Sequence, residues 1–144
     1  MATPLNPNVT AASFIARWII GILFFMAGYW KIYELGVSAH TQNFFIDGFK
    51  DFWIPHWLLY SLGVSIPYIE LAIGALVCVG FRTRYALIAM GALLIVTTYG
   101  HALQTPMFDI TGHTFSRTCL ILFVLMVGWD KDKTTIDYWI AKRV

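Results

Sequence analysis

The stretch that decides the fold is SIPYIELAIGALVCVGFRTRYALIAMGALLIV, which runs from Ser65 to Val96. It consists of two apolar runs of helical length, separated by the charged turn Arg82-Thr83-Arg84. A helix that crosses the hydrocarbon core of a bilayer needs about 20 mostly apolar residues. Two such runs joined by so short a turn predict a transmembrane helical hairpin. A carboxylate, Glu70, lies inside the first run, where a charge needs a partner or a function.

The composition of the whole chain supports a membrane protein. Of its 144 residues, 58% are hydrophobic and 12% are charged, and the mean hydropathy is +0.67. A soluble domain carries about 25% charged residues. The apolar spans fall at about residues 14–33, 57–81, 85–103 and 115–129, and none has the period-2 pattern of a barrel strand. We therefore predict an all-α fold: a polytopic membrane four-helix bundle, with residues 1–144 as a single domain.

The basic residues of the loops predict the orientation. Arg82 and Arg84 lie between the second and third spans, and Lys142 and Arg143 lie in the tail after the fourth. An even number of spans places both regions on one side, so we expect the N- and C-termini to be inside. The net charge of +2 is accounted for by this topology, and no nucleic-acid partner is expected.

The first outer loop, HTQNFFIDGFKDFWIPHW, has an amphipathic pattern. Its aromatic residues recur at helical spacing opposite polar ones, which predicts a short helix in the membrane interface that Pro55 ends. Two interpretations remain open: an anchoring flap over the bundle, or a gate that admits a lipid-soluble molecule. The residues concerned are Phe45, Phe49, Phe52 and Trp53 on one face, and Gln42, Asp47, Lys50 and Asp51 on the other.

The tail DKDKTTIDYWIAKRV predicts a second interfacial helix. Thr134 or Thr135 is suited to cap its N-terminus. Tyr138, Trp139 and Ile140 would then face lipid, with Lys142 at the headgroups.

Polar side chains within the spans come from all four helices. Lys31 ends the first, Glu70 lies midway along the second, His101 and nearby Tyr99 lie at the outer end of the third, and Arg117 enters the outer part of the fourth. A charge at the bilayer centre costs about 2.5–3.5 kcal/mol. We therefore expect these groups to converge on one pocket that opens outward, and they are our ligand-binding candidates. No catalytic residue is assigned.

Two interpretations of Glu70 remain open. It either forms a salt bridge to Arg117 or Lys31 that fixes helix packing, or it serves as a proton-linked or ligand-binding carboxylate. Pro67 lacks the N–H that would bond the carbonyl of Gly63, which predicts an unpaired acceptor and a kink next to it. Arg17, near the inner end of the first helix, is expected to snorkel to the interface.

Metal and redox motifs receive little support from the sequence. His101 and His113 are separated by an outer loop, and neither HxxxH nor ExxH occurs on one helix face. Cys78 and Cys119 lie near opposite membrane faces, and CxxC is absent, so both are expected to be packing residues. We expect no metal site and no intrinsic cofactor.

Three segments resemble the DoxX-like family of small four-helix membrane proteins: RWIIGILFFMAGYWKI, PYIELAIGALVCVGFRTRYALIAMGALL and LMVGWDKDKTTIDYW. The features in common are an early Arg17, the Gly28–Lys31 pair, a run from Glu70 to Arg84, and Thr135-Ile136-Asp137 after the last span. The resemblance implies a multi-pass protein of a bacterial or archaeal cytoplasmic (inner) membrane. It also implies a link to membrane redox systems, such as thiosulfate:quinone oxidoreductase or terminal quinol oxidase assemblies.

The leading functional hypothesis is an accessory subunit of a quinone-linked membrane redox or respiratory complex, which is not catalytic alone. Lys31 and Arg117 would donate to a quinone carbonyl, and Glu70 or His101 would handle a proton. Other membrane subunits would carry the electrons.

Two other classes remain open. The first is an assembly or scaffold factor, whose glycines allow helices to approach closely, either inside the bundle or against a partner. The second is a small-molecule transporter, which with four helices would have to act as an oligomer. The glycines concerned are Gly21, Gly28, Gly74, Gly80 and Gly91.

Overall fold

The computed structural model describes residues 7–105, 114–129 and 132–143, and its elements are all helical. Three of the helices continue directly into a π-helical segment, at Trp30–Glu34, Thr41–Ile46 and Val124–Gly128. The predicted all-α polytopic architecture is confirmed. The α-helices are α1 (Pro7–Tyr29), α2 (Val37–His40), α3 (His56–Val79), α4 (Thr83–Gln104), α5 (Ser116–Phe123) and α6 (Ile136–Ala141).

In the described part of the chain, three helical segments are long and apolar enough to cross a membrane: Pro7–Glu34, His56–Val79 and Thr83–Gln104. The fourth apolar segment, Ser116–Gly128, is about 20 Å long at the rise of an α-helix. That is less than the roughly 30 Å of hydrocarbon. Apolar helical segments lie at all four predicted positions, but the fourth is too short to count as a span, so its crossing of the membrane stays a prediction. The inside-outside orientation stays a prediction.

The surface of the bundle is unusually apolar. Large side chains such as Ile95 and Met126 are 73% and 82% exposed, while the core residues Ile20, Leu87 and Val124 are fully buried. A soluble protein does not expose so much contiguous apolar surface. The exposed surface is therefore suited to face lipid, and polar groups are confined to the interior and to the ends.

Backbone contact between α1 and α3 is the closest packing in the bundle. A Cβ atom at Gly28 would lie 2.6 Å from the carbonyl oxygen of Pro67, and one at Gly21 would lie 2.7 Å from the sulfur of Cys78. These pairings make the two helices antiparallel. Gly91, in contrast, has no atom nearer than 4.0 Å to such a Cβ. The glycines of α1 and α3 therefore allow the expected close approach inside the bundle, whereas approach of a partner at Gly91 stays a prediction.

The loop between the first and second apolar helices, which the sequence predicts to lie outside, folds over one end of the bundle. We call residues 37–52 the cap segment. Phe49 is buried, and Phe45 packs against the hydrophobic core, while Gln104 of α4 donates to the Gly48 carbonyl oxygen at 3.1 Å. Trp53 is 79% exposed. The predicted amphipathic segment is present, but its phenylalanines turn toward the protein because α3 and α4 offer them an apolar end surface.

Arg17 corrects an expectation. It is 1% exposed, and its Nε lies 2.8 Å from the Asp132 carboxylate. Its guanidinium also donates to the carbonyl oxygens of Val77 and Cys78 and to the hydroxyl of Thr134. The carbonyls in the last turn of a helix lack intrahelical partners. Arg17 therefore does not snorkel, because the end of α3 and the returning tail supply all its acceptors.

The tail after α5 also holds the beginning of α4. Both carboxylate oxygens of Asp137 accept backbone N–H bonds at 2.7 Å, from Arg82 and Thr83. Thr135 caps α6 by accepting from the N–H of Tyr138 at 3.1 Å, which confirms the predicted cap. The tail thus joins the ends of α3 and α4.

Replacing Gly28 by Ala should lower the free energy of unfolding by about 1–3 kcal/mol, because the new methyl group forces α1 and α3 apart. Gly91→Ala places the same methyl group in ordinary van der Waals contact, 4.0 Å from a side-chain carbon of Ile121, and serves as the control. The two variants are compared by thermal unfolding in mild detergent. Equal stability of Gly28→Ala and the wild type would contradict the described helix contact.

Replacing Asp132 by Asn should cost about 3–5 kcal/mol, because it leaves the buried charge of Arg17 without its counter-ion. The control is Asp47→Asn, since Asp47 is exposed and accepts a hydrogen bond from Gln42 at 2.8 Å. Denaturant titrations followed by tryptophan fluorescence measure both. A loss no larger than that of Asp47→Asn would refute the role of Asp132.

Candidate functional site

A cleft of about 70 Å³ lies between α1, α3, α4 and α5. Four of the five predicted site residues line it: Lys31, Glu70, His101 and Arg117. They come from four helical segments, so the expected convergence of polar groups from separate helices is present in the structure. Whether the cleft binds a ligand stays a prediction.

Tyr99 does not line the cleft. It is 57% exposed and belongs to another face of α4. The cleft instead receives Thr97 and Thr98, which precede His101 by four and three residues and so share its helix face. This spacing is the signal that separates the threonines from Tyr99 in the sequence. The remaining lining residues are Phe24, Leu94 and Thr114.

Lys31 and Glu70 form an ion pair across the α1–α3 contact. The Lys31 Nζ lies 2.6 Å from Glu70 Oε2, and the side chains are 20% and 8% exposed. Side chains of a helix lean toward its N-terminus. In an antiparallel pair they therefore lean toward each other, which brings the two charges together. Of the two partners that the sequence leaves open for Glu70, the structure selects Lys31.

Arg117 occupies the opposite wall of the cleft. Its guanidinium carbon lies 5.7 Å from the centre of the Phe24 ring, within range of a cation–π interaction. Within residues 7–105, 114–129 and 132–143, Arg117 has no carboxylate within ion-pair distance. Among the described residues, the charge of Arg117 is thus held near the cleft by an aromatic ring rather than by an acid.

Hydroxyl groups form the third side of the cleft. The hydroxyls of Thr98 and Thr114 are 3.4 Å apart, and that of Thr97 donates to the Leu94 carbonyl oxygen at 3.2 Å. In a pair of hydroxyls, one donates to the other, and the second keeps a proton for another acceptor. The cleft therefore combines an ion pair, a guanidinium and hydroxyl donors around a small volume.

His40 supplies the donor that Pro67 removes from α3. Its Nδ1 donates to the carbonyl oxygen of Gly63 at 2.9 Å, and the side chain is buried. This carbonyl is the acceptor that the sequence predicts to be unpaired four residues before Pro67. The role of His40 was missed because its partner lies in another helix. The bond also ties the cap segment to α3 beside the cleft.

His40 lies outside the membrane-spanning helices, and its pKa is lowered from 6.5. Burial is the main cause, and the charge of Lys31 acts in the same direction, whereas the hydrogen bond to Gly63 opposes them. His40 is accordingly neutral near pH 7, with Nδ1 as its protonated nitrogen.

Metal ligands do not cluster in the described part of the chain: no group of three or more His, Cys, Asp or Glu side chains is found there. Cys78 and Cys119 are free thiols. His113, considered with His101 as a ligand pair, lies outside the described residues.

Comparison with known families corrects the family expectation. A model of the family described as "Methylamine utilisation protein MauE" matches residues 9–106, which is more than half of the chain. The DoxX-like assignment is therefore wrong. The residues that suggested it have packing roles: Gly28 permits helix contact, Arg17 fastens the tail, and Asp137 caps α4. Searches of curated proteins and of solved structures returned no significant match.

The lowered pKa of His40 predicts acid sensitivity. Below pH 6.5 the unfolded chain takes up a proton that the folded chain does not, so stability falls as the pH decreases through that value. His40→Asn should reduce this loss, whereas His56→Asn, at an exposed histidine, should leave it unchanged. Thermal unfolding between pH 7.5 and 5.5 tests this. Identical pH profiles for His40→Asn and the wild type would refute it.

Proposed function

This chain belongs to the MauE family of methylamine utilisation proteins, and we propose that it is an accessory membrane protein of a redox system that serves methylamine utilisation. It acts in the cytoplasmic membrane of a bacterium or archaeon, alongside membrane subunits that carry out the electron transfer. Its own contribution is a polar cleft enclosed by apolar helices.

The Lys31–Glu70 pair is the observation that carries this proposal. Both residues lie inside the region that the family model matches, and their charges meet in the interior of a bundle whose outer surface is apolar. Burying an ion pair is a weak source of stability compared with packing apolar side chains. A functional role therefore explains the ion pair better than stability does: it would hold a polar ligand or transfer a proton at the cleft.

A quinone is the finer proposal for the ligand. Lys31 and Arg117 offer donors for a carbonyl oxygen, and Glu70 offers a site for a proton. The cleft volume of about 70 Å³ is about half of the 150 Å³ cavity that admits benzene. A quinone ring therefore requires the cleft to widen, and the cap segment, which packs over this end of the bundle, is the part suited to move.

The test is growth on methylamine as the sole nitrogen source. A deletion strain should fail to grow on methylamine but grow normally on ammonium. Glu70→Gln should not restore growth, because it leaves Lys31 unpaired, whereas Glu34→Gln, at an exposed glutamate three residues after Lys31, should restore it. Immunoblots establish equal protein levels. Normal growth of the deletion strain on methylamine would refute the proposal.

Purification in mild detergent separates the remaining possibilities. Stoichiometric recovery of redox subunits, with quinone in the extract, supports the accessory subunit. Loss of partner assembly in the deletion strain, without bound quinone, favours the assembly factor. A stable homo-oligomer that takes up a small molecule in vesicles favours the transporter.

A further inference from the structure

The cleft carries more positive than negative charge. Lys31 and Arg117 are cations, and Glu70 is the acid among the described residues that line the cleft. Lys31 and Glu70 neutralise one another at 2.6 Å. No further carboxylate among the described lining residues balances the charge of Arg117. A charge inside a membrane protein is costly unless it is paired. The cleft is therefore suited to receive one negative charge.

The position of Arg117 favours a planar anion. Its guanidinium carbon lies 5.7 Å from the centre of the Phe24 ring, and the N–H donors of a guanidinium form a planar fork. Two parallel N–H groups of arginine match the two oxygens of a carboxylate. A spherical ion such as chloride does not use this geometry.

The hydroxyls and the volume narrow the choice further. The Thr98–Thr114 pair keeps one hydroxyl proton that is not used between them, which suits an acceptor oxygen in the cleft. The cleft volume of about 70 Å³ is about half of the volume of an engineered 150 Å³ cavity that binds benzene. Three or four heavy atoms therefore fit in the cleft.

We infer that the cleft binds a small monovalent carboxylate of the size of acetate, paired with Arg117 and hydrogen-bonded by the Thr98–Thr114 hydroxyls. The inference rests on the proposed function in taking the cleft as a binding site. It concerns the cleft at its present volume of about 70 Å³, whereas a quinone requires a widened cleft, so the two ligands would exclude one another at Arg117. One consequence is that methylammonium is not the ligand, because its charge would meet that of Arg117, which no carboxylate of the described residues pairs.

The experiment titrates ¹³C-acetate into the purified full-length protein in detergent micelles, with NMR as readout and chloride held constant. The wild type should bind acetate saturably. Arg117→Gln should weaken binding about tenfold or more, since a charge-assisted hydrogen bond is lost. Arg84→Gln is the matched control, because Arg84 likewise lies over an aromatic ring, that of Trp129 at 5.9 Å, and should leave binding unchanged. Circular dichroism establishes that both variants are folded.

Glu70→Gln distinguishes an anion site from a cation site. Removing the carboxylate makes the cleft more positive, so acetate should bind at least as tightly as in the wild type. Saturable methylammonium binding that Glu70→Gln abolishes would overturn the inference, and so would the absence of acetate binding in the wild type. Binding is measured in vitro and growth in cells, so failure of the inference and failure of the proposed function are seen separately.

Discussion

The positions of the main polar groups in the bundle depend on the close contact between α1 and α3. Gly28 lets the backbone of α1 touch that of α3 at Pro67, and the two helices run in opposite directions. Three residues beyond each contact point lie Lys31 and Glu70. Their side chains lean toward one another across the helix–helix contact, so the ion pair depends on a contact between backbones. A larger residue at Gly28 would increase the distance between the two helices and separate the charges.

Pro67, at the same helix–helix contact, also determines how the cap segment is attached to α3. Its missing N–H leaves the carbonyl of Gly63 to be bonded from outside the helix, and His40 fills that need. The cap segment is therefore fastened to α3 by a bond that exists because α3 contains a proline. One turn further along α3 stands Glu70. The attachment of the cap segment and the placement of the buried ion pair thus both depend on neighbouring positions of α3.

The sequence was sufficient for the class of fold and for much of the site. Apolar length alone located the apolar helices, and the cost of charge in a membrane identified Lys31, Glu70, His101 and Arg117 as groups that would face inward. Tyr99 was misplaced because proximity in sequence was given more weight than helical phase. The burial of Arg17 was not predictable from the first helix, since its acceptors lie in the tail and at the end of α3. The family was misassigned because glycines, caps and short turns follow from helix packing in any small bundle.

The bond between Arg17 and Asp132 also has a consequence for biosynthesis. Asp132 follows all four apolar helices along the chain, so every one of them is made before Arg17 acquires its counter-ion. Until then, Arg17 has acceptors at the end of α3, the carbonyl oxygens of Val77 and Cys78, but no counter-ion. A chain that stops short of Asp132 therefore leaves the charge of Arg17 uncompensated.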